Sequence, residues 1–245
     1  MKFPREFVFC IAIGGGPLKD ADDWLKFAEH HMRGDRSQAT ISMEIKAETW
    51  ERKLQIRADV EGDDQALVFI DSPAKEKGIG TLRLKNSMWN WFPKLTRKAT
   101  VSPSMLLASW MGSDFTNDDL LKASSMSKDY VHKFTPDETL NGETYKVIEN
   151  KAKSDAKVMW PKIITLASSK DCLPRIHRYY DKQGNLIRVM TLSDMQEFDG
   201  HIVPRIWEMV PQNGNGKKTV LTYEKVGFKP KFPPNHFTMQ ALTNE

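Results

Sequence analysis

Alternation with a period of two runs through most of the chain and most restricts what it can fold into. Ala39, Ile41, Met43 and Ile45 alternate with Thr40, Ser42, Glu44 and Lys46. Leu54, Ile56, Ala58 and Val60 alternate with Gln55, Arg57 and Asp59. Neighbouring strand side chains point to opposite faces, so each segment reads as a strand with one apolar and one wetted face. The short Glu48-Thr49 link between them predicts a hairpin. Further strands are predicted over 66–70, 81–85, 88–92, 98–101, 130–134, 143–150, 158–167, 175–180, 186–192, 201–210 and 219–226. Turn residues separate the later ones: Asn141-Gly142, Asp199-Gly200, and Gly-containing runs at 181–184 and 213–216. Pro161 and Pro204 point to edge positions or bulges. There is no strand–helix–strand rhythm. The expected class is mainly β with few helices, a curved antiparallel sheet or unclosed β-barrel of roughly eleven strands; a closed barrel is the competing arrangement.

Two amphipathic pieces can cover such a sheet. Trp24, Leu25, Phe27, Ala28, His31 and Met32 recur at helical spacing after the capping candidates Asp20 and Asp22, and Gly34 ends the run. Inside the long connection 102–127, Met105, Leu106, Leu107, Trp110 and Met111 form a second apolar piece, expected to be a helix that plugs or lids the concave side. Asp118 and Asp119 are placed to start a short helix carrying Leu120 and Leu121, and Pro233-Pro234 introduces a last apolar turn with Phe237, Met239 and Leu242.

Composition narrows function by exclusion. The chain has 245 residues, 28% of them charged, with a net charge of +4 from 36 basic and 32 acidic residues. That charge is too low to point to nucleic acid. Lys94, Arg97 and Lys98 follow a Trp pair but read as a solvated turn, with an anionic docking patch as the functional alternative. Seven Trp and twelve Met in so polar a chain must go into a core or a cavity. Cys10 and Cys172 are the two cysteines, with no CxxC pair, so a zinc cage or redox motif is excluded. Residues 1–16 read as a signal peptide or residual N-terminal segment: Lys2 and Arg5, an apolar run over 7–13, then Gly14-Gly15-Gly16-Pro17. Its removal would leave Cys172 as a single buried thiol. Residues 17–245 then form one domain.

Catalytic signals are weak. Ser113 lies in Gly112-Ser113-Asp114 without the G-x-S-x-G elbow, so a turn is the expected role. His132, His177 and His201 fall on separate strands, His30 and His31 are adjacent, and no metal-ligand spacing appears. No metal, cofactor or catalytic residue is expected.

Two motifs carry a resemblance. Residues 88–95 read Met-Trp-Asn-Trp-Phe-Pro-Lys-Leu, and 110–115 read Trp-Met-Gly-Ser-Asp-Phe, followed by Asp119-Leu120. They resemble the M-W-x-Y-x-P and F-M-G-S-D-F stretches of bacterial outer-membrane lipoprotein-sorting proteins, relatives of the lipoprotein carrier LolA. Here Trp91 stands in the Tyr position. Leu173-Pro174, the run at 180–184, the run at 199–204 and the end from Lys218 to Phe237 are also similar, so the resemblance spans about 21–242.

The resemblance implies an unclosed barrel with a helical lid over a hydrophobic cavity. It implies a non-enzymatic periplasmic carrier of lipid or lipoprotein acyl chains, moving cargo toward the outer membrane. A resistance-nodulation-division transporter is the implied partner, with the protein itself a monomer that binds no nucleic acid. The expected lipid-binding residues are Met43, Ile45, Leu54, Ile56, Leu82, Leu84, Trp89, Trp91, Leu106, Leu107, Trp110 and Met111. Arg52 and Arg57 are the candidates for the carrier's lid-locking arginine. The competing reading is a non-catalytic β-barrel or sandwich interaction module with a filled core.

Overall fold

The computed structural model describes residues 18–121, 126–156 and 158–244. The predicted signal segment, 1–16, lies outside them. The chain opens with helix α1 (Ala21–Arg33). The Asp20 side chain accepts from the Asp23 amide at 2.9 Å, and Asp22 and Asp23 place negative charge in the first turn, where the free N–H groups favour it. Gly34 ends the helix at φ 66°, and a Cβ there would stand 2.9 Å from the Phe228 ring.

Six strands follow: β1 (Arg36–Lys46), β2 (Glu51–Glu61), β3 (Gln65–Ser72), β4 (Gly80–Leu84), β5 (Ser87–Phe92) and β6 (Arg97–Thr100). The connection then holds two 3-10 turns, Pro103–Met105 and Trp110–Gly112, and short helices α2 (Asn117–Leu121) and α3 (Met126–Asp129). Seven more strands complete the sheet: β7 (Tyr130–Leu140), β8 (Glu143–Ala152), β9 (Lys162–Ser168), β10 (Pro174–Tyr180), β11 (Leu186–Phe198), β12 (His201–Pro211) and β13 (Lys218–Gly227). Helix α4 (Met239–Thr243) closes the chain.

Thirteen strands form one sheet, one for each segment read from the alternation and slightly above the rough total of eleven, in the order β6-β5-β4-β3-β2-β1-β13-β12-β11-β10-β9-β8-β7. All pairs are antiparallel, as hairpin connections dictate. β1 pairs with both β2 and β13, which joins the two halves: Met43 stands opposite Leu54 on one side and Leu221 on the other. β6 and β7 are the two outer strands, so the barrel is unclosed and the closed alternative is excluded. The edges are managed differently. β6 is four residues long with exposed Arg97 and Lys98, whereas β7 breaks its register around Pro136 and Asp137. Pro161 lies just before β9, which therefore starts at Lys162 rather than 158. Pro204 lies in the part of β12 that β13 does not pair.

The sheet buries apolar side chains on both faces near β3–β5. Ala66, Val68, Thr81 and Arg83 face the concave side with the β1 and β2 residues that line the cavity. Leu67, Phe69, Leu82, Leu84, Trp89 and Trp91 face the convex side, where Phe232, Phe237, Met239 and Leu242 cover them. His236 fastens this cover through a 2.7 Å contact from Nε2 to the buried Asp59 carboxylate.

The helix expected over 105–111 does not form. The segment runs through two 3-10 turns, Met111 is left-handed at φ 50°, and Met105 and Leu107 are exposed. Its anchors lie across the sheet, which holds the backbone away from a continuous helix. Cys172 is buried, as expected, and is disulfide-bonded; the lone thiol was expected only where residues 1–16 are removed.

Candidate functional site

A cavity of about 390 Å³ lies between the concave face, α1 and the connection from β6 to β7. That volume is in the range of about 300–1,000 Å³ typical of ligand pockets. Its wall is mostly aliphatic and aromatic. Met43, Ile56, Leu221 and Tyr223 come from the sheet, Leu25 and Met32 from α1, and Trp110 and Phe115 from the connection. Small residues keep it open: Ala39 and Ala58 occupy adjacent strands, directly opposite one another, and both line it.

The connection is tied down at several points. The Trp110 indole N–H donates to Thr81 Oγ1 at 3.1 Å, and Thr81 donates to Asn90 at 2.8 Å. Arg52 donates to the Met111 carbonyl and pairs with Glu76, both at 2.6 Å. Thr219 donates to the Asp114 carboxylate at 2.7 Å and accepts from its amide at 2.9 Å. Arg188 binds Asp119 through both terminal nitrogens. Burial works against the Arg188 charge, but Asp119 more than offsets it, and the guanidinium is held more firmly protonated than usual.

Polar groups occupy defined places. His177 is fully buried, and burial pushes its imidazole down to about 4. It is the inner end of a chain across four strands: His132 to Asn150 at 2.8 Å, Asn150 to Thr165 at 2.9 Å, and Thr165 to His177 at 2.9 Å. Burial raises the Tyr130 phenol, whose hydroxyl donates to the Trp160 carbonyl, and takes Tyr223 up to about 12. Glu29 on α1 accepts from the amide and hydroxyl of Ser127, joining α1 to α3, and burial favours its protonated form.

Three of the twelve expected lipid-binding residues line the cavity: Met43, Ile56 and Trp110. Ile45 and Leu54 are in the same apolar cluster, buried outside the cavity wall, and Met111 packs against it. Leu82, Leu84, Trp89 and Trp91 are on the convex side. Leu106 is half-buried and Leu107 exposed. Of the two arginine candidates, Arg52 touches the connection, whereas Arg57 contacts Asp71 at 3.5 Å and lies 5.5 Å from the Phe69 ring centroid. Arg188 and Arg83 escaped sequence reasoning. For Arg188 the signal was phase, since it alternates in step with Met190 and Leu192 on the buried side of β11; β4 is buried on both faces, so phase gives no such signal for Arg83.

Ser113 is fully buried, and its hydroxyl donates to the Trp110 carbonyl at 2.7 Å. It closes its own turn, as the spacing predicts. Among the described residues no helix is long and apolar enough to cross a membrane.

A family model described as "Uncharacterized protein" matches residues 62–244, most of the chain. The chain belongs to that family. Its fold is LolA-like, which agrees with the resemblance in the two motifs. A DUF1329 family protein from Desulfovibrio piger superimposes with a TM-score of 0.84 at 19% identity, over 91% of this chain and 97% of that one. A domain described as an outer membrane lipoprotein-sorting protein from Vibrio parahaemolyticus gives 0.80 at 22%, over 91% and 98%. A LolA superfamily protein from Nitrosomonas europaea gives 0.78 at 20%, over 91% and 99%. No curated protein matches the chain. The LolA-like sheet is thus shared nearly end to end.

Proposed function

We propose that this protein is a periplasmic carrier that holds a lipid, or the acyl chain of a lipoprotein, in the cavity between its sheet and its connection, and that it carries out no catalysis. The single observation behind this reading is the roughly 390 Å³ cavity walled by Met43, Ile56, Trp110, Phe115, Leu221 and Tyr223. A filled-core interaction module has no need of such a space. Each methylene placed there would contribute about 0.8 kcal/mol by leaving water. The LolA-like fold supports the same reading.

Loading and release would require the connection to move. Arg188–Asp119, Arg52–Met111 and Thr219–Asp114 are the ties that would have to yield. A membrane transporter of the resistance-nodulation-division type would promote release by binding the opened form better than the closed one. The carrier acts as a monomer.

Native mass spectrometry after gentle purification, followed by uptake of a fluorescent fatty acid by the emptied protein, tests the proposal. Bound lipid or saturable uptake is expected. A protein that arrives empty and takes up no probe is not a lipid carrier.

A further inference from the structure

β9 and β10 bring to the cavity wall a polar side chain whose hydrogen bonding is only half used. His177 is 5% exposed and lines the cavity beside Thr165, which stands opposite it on the paired strand. Burial alone lowers its pKa, to about 4, so at neutral pH the ring is uncharged. The charged residues of the wall, Glu29, Arg33, Arg83, Asp118 and Asp119, come from α1, β4 and the connection, and none of them enters that shift. The surrounding network assigns the tautomer. The Asn150 amide nitrogen donates to the Ile163 carbonyl at 3.0 Å and to Thr165 Oγ1 at 2.9 Å. Thr165 thus accepts from Asn150 and has its own hydrogen left for His177 Nδ1, 2.9 Å away. With Nδ1 accepting, the neutral imidazole carries its hydrogen on Nε2. That N–H has no acceptor among the described residues. Trp160, also on the wall, has a buried indole N–H with no acceptor among them either. The two rings flank Tyr179, with centroids 6.4 and 5.5 Å from its own. Arg188 stacks on Trp160 and Tyr179, and Asp119 balances its charge.

We propose that His177 is the polar anchor of the cargo: its Nε2–H donates to the carbonyl oxygen of an acyl ester or acyl amide, while the tail lies in the apolar part of the cavity. The inference rests on the carrier reading and adds a headgroup requirement to it. An uncharged carbonyl fits because one neutral N–H replaces the water it gives up. A carboxylate would give up the hydration of a full charge, which one neutral donor does not offset.

Four ligands of similar length test it at neutral pH: methyl decanoate, N-methyldecanamide, decanoate and dodecane, each displacing the neutral dye N-phenyl-1-naphthylamine. In the wild type at least one carbonyl ligand is expected to bind more tightly than decanoate, and whether ester or amide prevails identifies the acyl linkage. His177→Phe is expected to weaken that ligand by about three- to tenfold, the share of one hydrogen bond, and dodecane by less than about twofold. Imidazole nitrogen-15 NMR of the wild type should find the His177 hydrogen on Nε2. Its signal should move downfield with the preferred carbonyl ligand and stay in place with dodecane. Decanoate binding most tightly overturns the inference. So does an equal loss on all ligands in His177→Phe, because the ring would then only support the wall, and so does a hydrogen on Nδ1. These outcomes leave the carrier reading standing. If no ligand displaces the dye, the carrier reading itself falls, and the inference with it. The wild-type spectra decide the matter even if His177→Phe does not fold.

Discussion

Arg188 and Asp119 meet in a two-pronged ion pair between β11 and the connection, with Arg188 Nη1 2.7 Å from Asp119 Oδ2. The guanidinium carbon lies 4.3 Å from the centroid of Trp160 and 4.4 Å from that of Tyr179. The charge is therefore stacked against aromatic rings as well as paired. Removing one member leaves the other buried without its counter-charge. Asp119→Ala is expected to cost about 3–5 kcal/mol of stability in urea unfolding. The double replacement Arg188→Met with Asp119→Leu should cost clearly less than the two single changes added together, because no orphaned charge remains. Additive losses would mean that the pair is not coupled.

Acid should weaken the fold through His177. Its ordinary value is 6.5 and its folded value about 4, so between those limits the unfolded chain binds a proton that the folded chain refuses. The contribution is complete above pH 6.5 and is lost as the pH falls toward 4, to a total of about 3 kcal/mol. Urea unfolding from pH 7.5 to 4 should show this loss in the wild type and a smaller one in His177→Gln. Parallel curves would assign the acid sensitivity elsewhere.

The convex cover should be sensitive to a single methyl. A Cβ at Gly80 would stand 2.6 Å from the Phe69 ring and 2.8 Å from Leu242. Gly80→Ala is expected to destabilise by about 1–3 kcal/mol through overpacking. Displacement of α4 would admit water to Trp89 and Trp91, with a red-shifted tryptophan emission. An unchanged melting temperature and spectrum would show that α4 adjusts at no cost.

Filling the cavity should abolish uptake without harming the fold. Ala58 lines the cavity on β2. An indole there would occupy much of the space. Ala58→Trp is expected to reduce fluorescent fatty acid uptake by about tenfold or more, equivalent to losing roughly two buried methylenes. Its circular dichroism should match the wild type. Undiminished uptake would place the ligand elsewhere.

The parts of the structure legible in the sequence are those governed by local rules. The α1 boundaries follow from Asp20 and Gly34, and the β1–β2 pairing follows from two alternating runs and a short link. Trp89 and Trp91 do share a face, as their spacing requires. Which face was not legible, because α4 and Phe232 arrive from far along the chain to make the convex side as apolar as the concave one. The stretch 105–111 misled for a similar reason. Its apolar residues fit a helix, yet Trp110 is bonded to β4 and the Met111 carbonyl to Arg52 on β2, and those distant anchors fix an irregular path. The buried arginines were hidden by their chemistry: charge argues for solvent, the phase of β11 places Arg188 inside, and β4, buried on both faces, gives no such sign for Arg83.

The unpaired edges of β6 and β7 have a mechanical meaning. In a closed barrel the circumference is set by the strand number and stagger, and widening it means breaking a ladder. This sheet has a seam, with the connection crossing the interior as a brace. Its girth can follow the thickness of what it encloses by a change in curvature alone, every interstrand hydrogen bond kept, so the seam makes capacity a property of the brace rather than of the strand count.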